Sequence, residues 1–175
     1  MSGNVQRLSN GRIYIEGEEA FATCKSLELP EIEIGQTEYD ALGTTGVLEL
    51  PNSKVQAMEA TIVWMHQPNT FGFTELMYNP MRTSQIEVRA DQAIFDGLGE
   101  PIPNDYVCVL RGRPKEMSVG SFEGNDDTMP ETVMAVDFLR LAVGGQELLE
   151  INARSTFGIR VNGRLVNMAI SGSLV

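Results

Sequence analysis

Short stretches of alternating apolar and polar residues, separated by glycine, proline and asparagine, recur along almost the whole chain. Alternation with a period of two places successive side chains on opposite faces of an extended strand, so the pattern predicts a mainly β protein of half-buried antiparallel strands. Residues 12–16 carry Ile13 and Ile15 on one face, and Gly17 permits a tight reversal into residues 19–24, a predicted hairpin. In residues 26–34 the phase changes. Leu27 and Leu29 share a face before Pro30, and Ile32 and Ile34 occupy the other face after it. Proline has no N–H to give a ladder, so a bulge or a bent edge strand is expected there. Residues 35–51, with Gly35, Gly43, Gly46 and no steady period, predict a long mobile loop holding at most a short strand at 47–50.

The next segment, 56–66, alternates again: Ala60, Ile62 and Trp64 form the predicted core face, against Glu59, Thr61, Val63 and Met65. Pro68, Asn69 and Thr70 then introduce the one good helix candidate, because Phe73, Leu76 and Met77 fall at i, i+3 and i+4 and share a stripe. Asn79 before Pro80 ends it. A helix so short, with Gly72 inside it, needs a sheet beneath its apolar stripe. Residues 85–95 set Ile86, Val88 and Ala90 against Glu87, Arg89 and Asp91, and the turn-rich stretch 96–104 follows. A long strand is predicted at 106–119, interrupted by Gly112 and Pro114, and then an acidic loop at 120–130. Residues 131–142 and 146–153 read as strands joined by Gly144-Gly145, and a last hairpin turns at Asn162-Gly163, two dipeptides suited to primed turns.

Composition narrows the class. At 175 residues, with 42% hydrophobic and 21% charged positions, the chain fits one domain, residues 1–175, which buries roughly 70% of its unfolded surface. A net charge of −11 repels phosphate backbones, which disfavours ordinary nucleic-acid binding. The first residues show no basic stretch leading into an apolar run, and no segment reaches the roughly 20 apolar residues of a membrane helix. A chain without membrane anchor, cytosolic when made, is the expectation.

Candidate chemistry is sparse, and no catalytic, cofactor-binding or metal residue is assigned. Cys24 and Cys108 lie in apolar or strand-like stretches and read as buried thiols. The single histidine, His66, stands beside Pro68 with no GxSxG, CxxC or HExxH motif around it, and reads as structural or exposed. Glu123, Asp126 and Asp127 lack the spacing and closing glutamate of a calcium loop and read as solvated. Arg111, Arg113 and Lys115 read as partners for carboxylates of this or a neighbouring subunit. The nine methionines form no single stripe and read as core filling. These observations alone reach a site-poor β domain with two long loops, which favours assembly or binding over catalysis.

Arg111-Gly-Arg-Pro-Lys-Glu116, then the acidic loop, then the run DFLRLAVGGQELLEIN at 137–152 and Val161-Asn162-Gly163, resemble the major tail tube family of P2-like contractile phages in order and spacing. The segments at 26–34, 58–64 and 73–78 extend the resemblance over nearly the whole chain. It implies an antiparallel β-barrel or sandwich with one short flanking helix, six copies of which join strands edge to edge into a ring around a channel. Stacked rings then form the tube, with no enzyme activity and no cofactor. The implied partners are other copies of the chain, the tail sheath, a baseplate or tube initiator, a tape-measure protein and a tail terminator, with DNA passing unbound. Assembly in the host cytoplasm and residence in the virion are implied too. The loops at 35–50 and 120–130 become candidates for contacts between rings. Two rivals remain open: the same tube in a phage-tail-like bacteriocin or other contractile injection device, and a β-barrel ligand-binding module, against which a scattered 7% of aromatic residues counts.

Overall fold

The computed structural model describes residues 5–20, 23–40, 45–95, 102–120, 129–156 and 158–166. Strands dominate, as the alternation requires. In chain order they are β1 (Val5–Ile15), β2 (Glu18–Glu19), β3 (Cys24–Glu28), β4 (Ile34–Tyr39), β5 (Leu48–Val55) and β6 (Met58–Trp64), then helix α1 (Phe71–Tyr78). After it come β7 (Ser84–Phe95), β8 (Ile102–Ser118), β9 (Glu131–Val143), β10 (Gln146–Asn152), β11 (Ile159–Val161) and β12 (Arg164–Leu165). Ten strands form one antiparallel sheet in the order β12-β11-β10-β9-β8-β7-β1-β2, with β3 and β6 branching from β9.

The branch makes the architecture. On the edge away from β8, the first half of β9 pairs with β6, from Met58↔Val136 to Val63↔Glu131, while its second half pairs with β10. One long strand thus feeds two sheet wings, which wrap a shared core of Ile15, Ile62, Trp64, Ile86, Leu110, Met134 and Ile151. Among the described residues no strand joins β3 to β1, so the sheet curls without closing into a barrel.

Helix α1 covers this core through the predicted stripe: Phe73, Leu76 and Met77 are its buried residues. Each such side chain contributes about 1.5–3 kcal/mol on burial, more than the ~1 kcal/mol that Gly72 costs a helix. Phe73 meets Trp64 at 6.1 Å between ring centroids. Asn79 ends the helix, its N–H bonding the Glu75 carbonyl and its side-chain amide the Glu75 carboxylate.

Turn chemistry agrees with the sequence. Gly144 and Gly145 have φ of 59° and 77°, and Asn162 and Gly163 have φ of 50° and 74°, the doubly left-handed geometry of primed hairpin turns. Gly112 and Pro114 do not break β8; they sit at its two register shifts against β9, Gly112 as the last partner of β7 and Pro114 beyond it. Proline is tolerated at such bulges because no ladder bond to the missing N–H is required.

Three expectations need correction. The predicted loop at 35–50 is mostly a two-stranded arm of β4 and β5, from Ile34↔Val55 to Tyr39↔Leu48, separate from the main sheet. It escaped notice because residues 36–40 and 49–52 are exposed, so no buried face imposes alternation on the arm. Pro30 marks neither a bulge nor a bend within one strand; β3 ends at Glu28, and the chain leaves the main sheet before β4 begins in the arm. Methionine is only partly core filling: Met58, Met77 and Met134 are buried, but Met65, Met117 and Met129 are exposed, and Met81 is 85% exposed. The predicted first hairpin is present but brief, with β2 pairing only Glu18 and Glu19 to β1.

Candidate functional site

The sequence-derived candidates do not converge on a reactive centre. His66 is exposed, its ring Nδ1 3.1 Å from the Gln67 carbonyl. Cys108 is buried and Cys24 half-buried; both are free thiols, and burial pushes each up to about 11. Neither is a thiolate near neutral pH, so neither is primed as a nucleophile. Among the described residues, no three His, Cys, Asp or Glu side chains stand where they could hold a metal. No described helix is long and apolar enough to cross a membrane. The acidic residues 123–127 lie outside the described residues.

The basic cluster splits by environment. Lys115 donates to Glu59 across the sheet at 2.5 Å, and this carboxylate raises the lysine's pKa. Arg111 sits over the Phe138 ring, its guanidinium carbon 4.4 Å from the centroid. Arg113 is exposed on the same strand. Among the described residues, only Lys115 of the cluster finds the expected carboxylate.

What the fold does gather is a set of open strand edges and the surfaces beside them. On the core-averted face of β1, β7 and β8, the residues Tyr14, Glu87, Arg89, Asp91 and Asp105 form a shallow polar surface. Asn10 donates to Asp91 at 3.0 Å, Arg89 pairs with Glu87 at 2.6 Å, and Arg89 stacks on Tyr14. Asp91 and Asp105 are direct cross-strand partners, which concentrates negative charge on this face.

The second surface is the gap between β1 and β3. Asn10, in the left-handed region at φ 54°, and Gly11 form a bulge in β1 where its register with β7 shifts. Past this bulge, β1 and β3 line opposite sides of a cavity of about 240 Å³, floored by Val88, Ala90 and Tyr106. The third surface is the β4–β5 arm, with Tyr39, Val47 and Leu50 exposed. Sequence reasoning missed the gap and the arm. Alternation showed which way Ile13 and Val88 point, but not which strands go unpaired.

Comparison with known proteins bears on these surfaces. The family model for phage tail tube protein FII matches residues 5–164. No curated protein matches the chain. A chain in the cryo-EM structure of the PVC sheath/tube terminator of an extracellular contractile injection system, in the extended state, is 16% identical with a TM-score of 0.55. That match covers 77% of this chain and 92% of the other. A chain of the PVC sheath-tube complex in the extended state gives the same identity and TM-score, covering 77% of this chain and 87% of that one. At such identity the likeness is one of fold.

Proposed function

We propose, on the premise that this chain belongs to the phage tail tube protein FII family, that six copies close into a ring and that rings stack as the hollow inner conduit of a contractile tail. The chain is a structural tail tube subunit and thus a component of the particle. The family match over residues 5–164 carries the proposal. The geometry supports it: residues 5–12 of β1 and the strand β3 each leave an edge without a described strand beside it, and exposed edges are templates for association. A head-to-tail contact that closes after six copies covers such edges and limits the assembly.

In this reading the polar face carrying Glu87, Asp91 and Asp105 lines the channel. Six copies bring 6 × −11 = −66 charges to a ring, so DNA slides without adhering. The arm and the segment at 120–130 make contacts between rings. The outer partners are the sheath, an initiating baseplate component, a tape-measure protein and a terminator, with assembly in the host cytoplasm and no enzymatic step. Both solved relatives come from sheath-bearing assemblies, which supports sheath association.

The same relatives favour one alternative, a tube in a contractile injection device that carries no genome. Capsid and terminase genes beside this one would mark a phage. Negative-stain microscopy of the concentrated protein tests the tube itself. Rings or hollow tubes are expected, while a persistent monomer holding a small molecule overturns the proposal.

A further inference from the structure

From β3 the main sheet runs through β6, β9, β8 and β7 to β1, around the core, and among the described residues no strand joins its two ends. Residues 5–12 of β1 and residues 24–28 of β3 each keep one edge with no described strand beside it. Between these edges the core is thinly covered: Ile13, Leu27, Val88 and Tyr106 pack on it only partly buried, and Leu29 at the rim is 39% exposed. Ala20 bounds the gap at one end, its N–H donating to the Ile13 carbonyl at 2.8 Å. What fits such a gap offers backbone hydrogen bonds along its edges and apolar side chains on one face, which is how an added β-strand binds.

The sequence holds a segment of that kind. Residues 166–175 read VNMAISGSLV and carry no charge, in a chain where charged residues make up 21%. With a period of two, Val166, Met168, Ile170 and Leu174 fall on one side and Asn167, Ala169, Ser171 and Ser173 on the other, the pattern of a half-buried strand. Residues 167–175 lie outside the described residues. They follow β12, the last strand of its wing, which pairs with β11 through two residue pairs.

We propose that residues 167–174 of a second copy enter the gap between β1 and β3 as a strand, with Met168 and Ile170 turned toward Ile13, Leu27 and Val88. The strand order decides between a chain's own tail and a neighbour's. Along the sheet β12 stands five strands from β3 and six from β1. At about 4.8 Å per strand that is roughly 24–29 Å around the surface, and the nine residues 167–175 span only about 30 Å when extended. A chain's own tail is spent before it can lie in its own gap. Because β1 and β3 run in opposite directions around the antiparallel sheet, the inserted strand is antiparallel to one and parallel to the other, as mixed sheets allow. This inference rests on the tube reading, since it requires copies to meet, and it names a segment that passes between them.

Cross-linking of mixed chains tests it. A Gly11→Cys chain is assembled with a Met168→Cys, an Ile170→Cys or a Leu174→Cys chain, all carrying Cys24→Ala, and oxidised; a Cβ on Gly11 meets nothing within 4 Å, and Cys108 is buried. A disulfide-linked dimer formed in at least one mixture, and only when both variants are present, is the expected result. Chains carrying both cysteines that close the bond within a monomer put a chain's own tail in the gap and overturn the exchange. Tubes that oxidise with neither linkage overturn the inserted strand and leave the tube reading intact, whereas failure of the wild-type chain to form rings or tubes defeats both. An aspartate scan reads the alternation independently. Met168→Asp and Ile170→Asp should each raise the critical concentration for assembly about tenfold or more, while Asn167→Asp and Ser171→Asp should leave it within about twofold. Equal effects at both sets of positions, or none at either, overturn the proposal.

Discussion

The indole N–H of Trp64 donates to the hydroxyl of Thr132 at 3.1 Å, with both side chains fully buried. The bond links β6 to β9 at the start of the sheet's branch, and it explains a buried threonine on an apolar face, since a buried indole N–H needs an acceptor. Thr132→Val keeps the shape and strands the donor, so it should cost about 1–3 kcal/mol, while Thr132→Ser should cost clearly less. Urea unfolding followed by the fluorescence of the sole tryptophan measures both. Equal losses would show that the hydroxyl contributes nothing beyond packing.

Ser84 should behave in the opposite sense. Its hydroxyl is buried at the start of β7 with no hydrogen-bond partner among the described residues. Ser84→Ala removes a desolvated polar group and should leave stability unchanged or raise it by up to about 1 kcal/mol. A loss of that size in the same urea experiment would reveal a partner for the hydroxyl.

The contrast between α1 and the arm shows what was legible in the sequence. Phe73, Leu76 and Met77 announced the helix because the core buries one of its faces, and Ala60, Ile62 and Trp64 announced β6 for the same reason. Gln36, Thr37 and Glu38 show no alternation, since beyond the arm's base at Gly35 and Val55 neither of its faces is buried. Sequence pattern records burial, and residues 36–40 and 49–52 of the arm are exposed. The gap was hidden differently. Ile13, Leu27, Val88 and Tyr106 come from four strands, and an open edge is the absence of a neighbour, which depends on strand order and not on any residue.

Gly112 is required by close approach. A Cβ there would stand 2.1 Å from the Ala135 carbonyl oxygen, at a register shift of β8 against β9. Gly112→Ala should therefore force the two central strands apart and cost about 3 kcal/mol or more. At Gly145, where φ is +77° and no atom lies within 4 Å of a Cβ, alanine meets only backbone strain of about 1–2 kcal/mol. Thermal unfolding of the two variants should rank them in that order; similar losses would put the cost at Gly112 down to generic glycine replacement.

The thiols predict a weakness at high pH. Burial raises Cys108 from 9.0 to about 11, so the native state holds the neutral thiol while the unfolded state ionises from about pH 9. The unfolded state then binds fewer protons, and stability falls as pH rises from about 9 to 11, by roughly 1.4 kcal/mol per pH unit at most. Cys24, also pushed up to about 11 by burial, acts in the same direction. Chemical denaturation at a series of pH values should show a shallower decline for Cys108→Ala than for the parent. Parallel declines would mean that other groups carry the dependence.

Salt should promote tube formation. Each chain carries a net charge of −11, and seven of its thirteen cationic side chains already pair with carboxylates of the same subunit. In the proposed six-membered ring, long-range repulsion of 6 × −11 = −66 opposes stacking, while local ion pairs between subunits favour it. Screening length separates the two effects. It shrinks from about 30 Å at 0.01 M to about 8 Å at 0.15 M, which suppresses repulsion between rings well before it weakens a close, partly desolvated pair. The critical concentration for assembly, measured by sedimentation between about 0.01 and 0.15 M salt, should therefore fall as salt is added. Tubes that dissolve over that range would show instead that ion pairs between subunits dominate the contact.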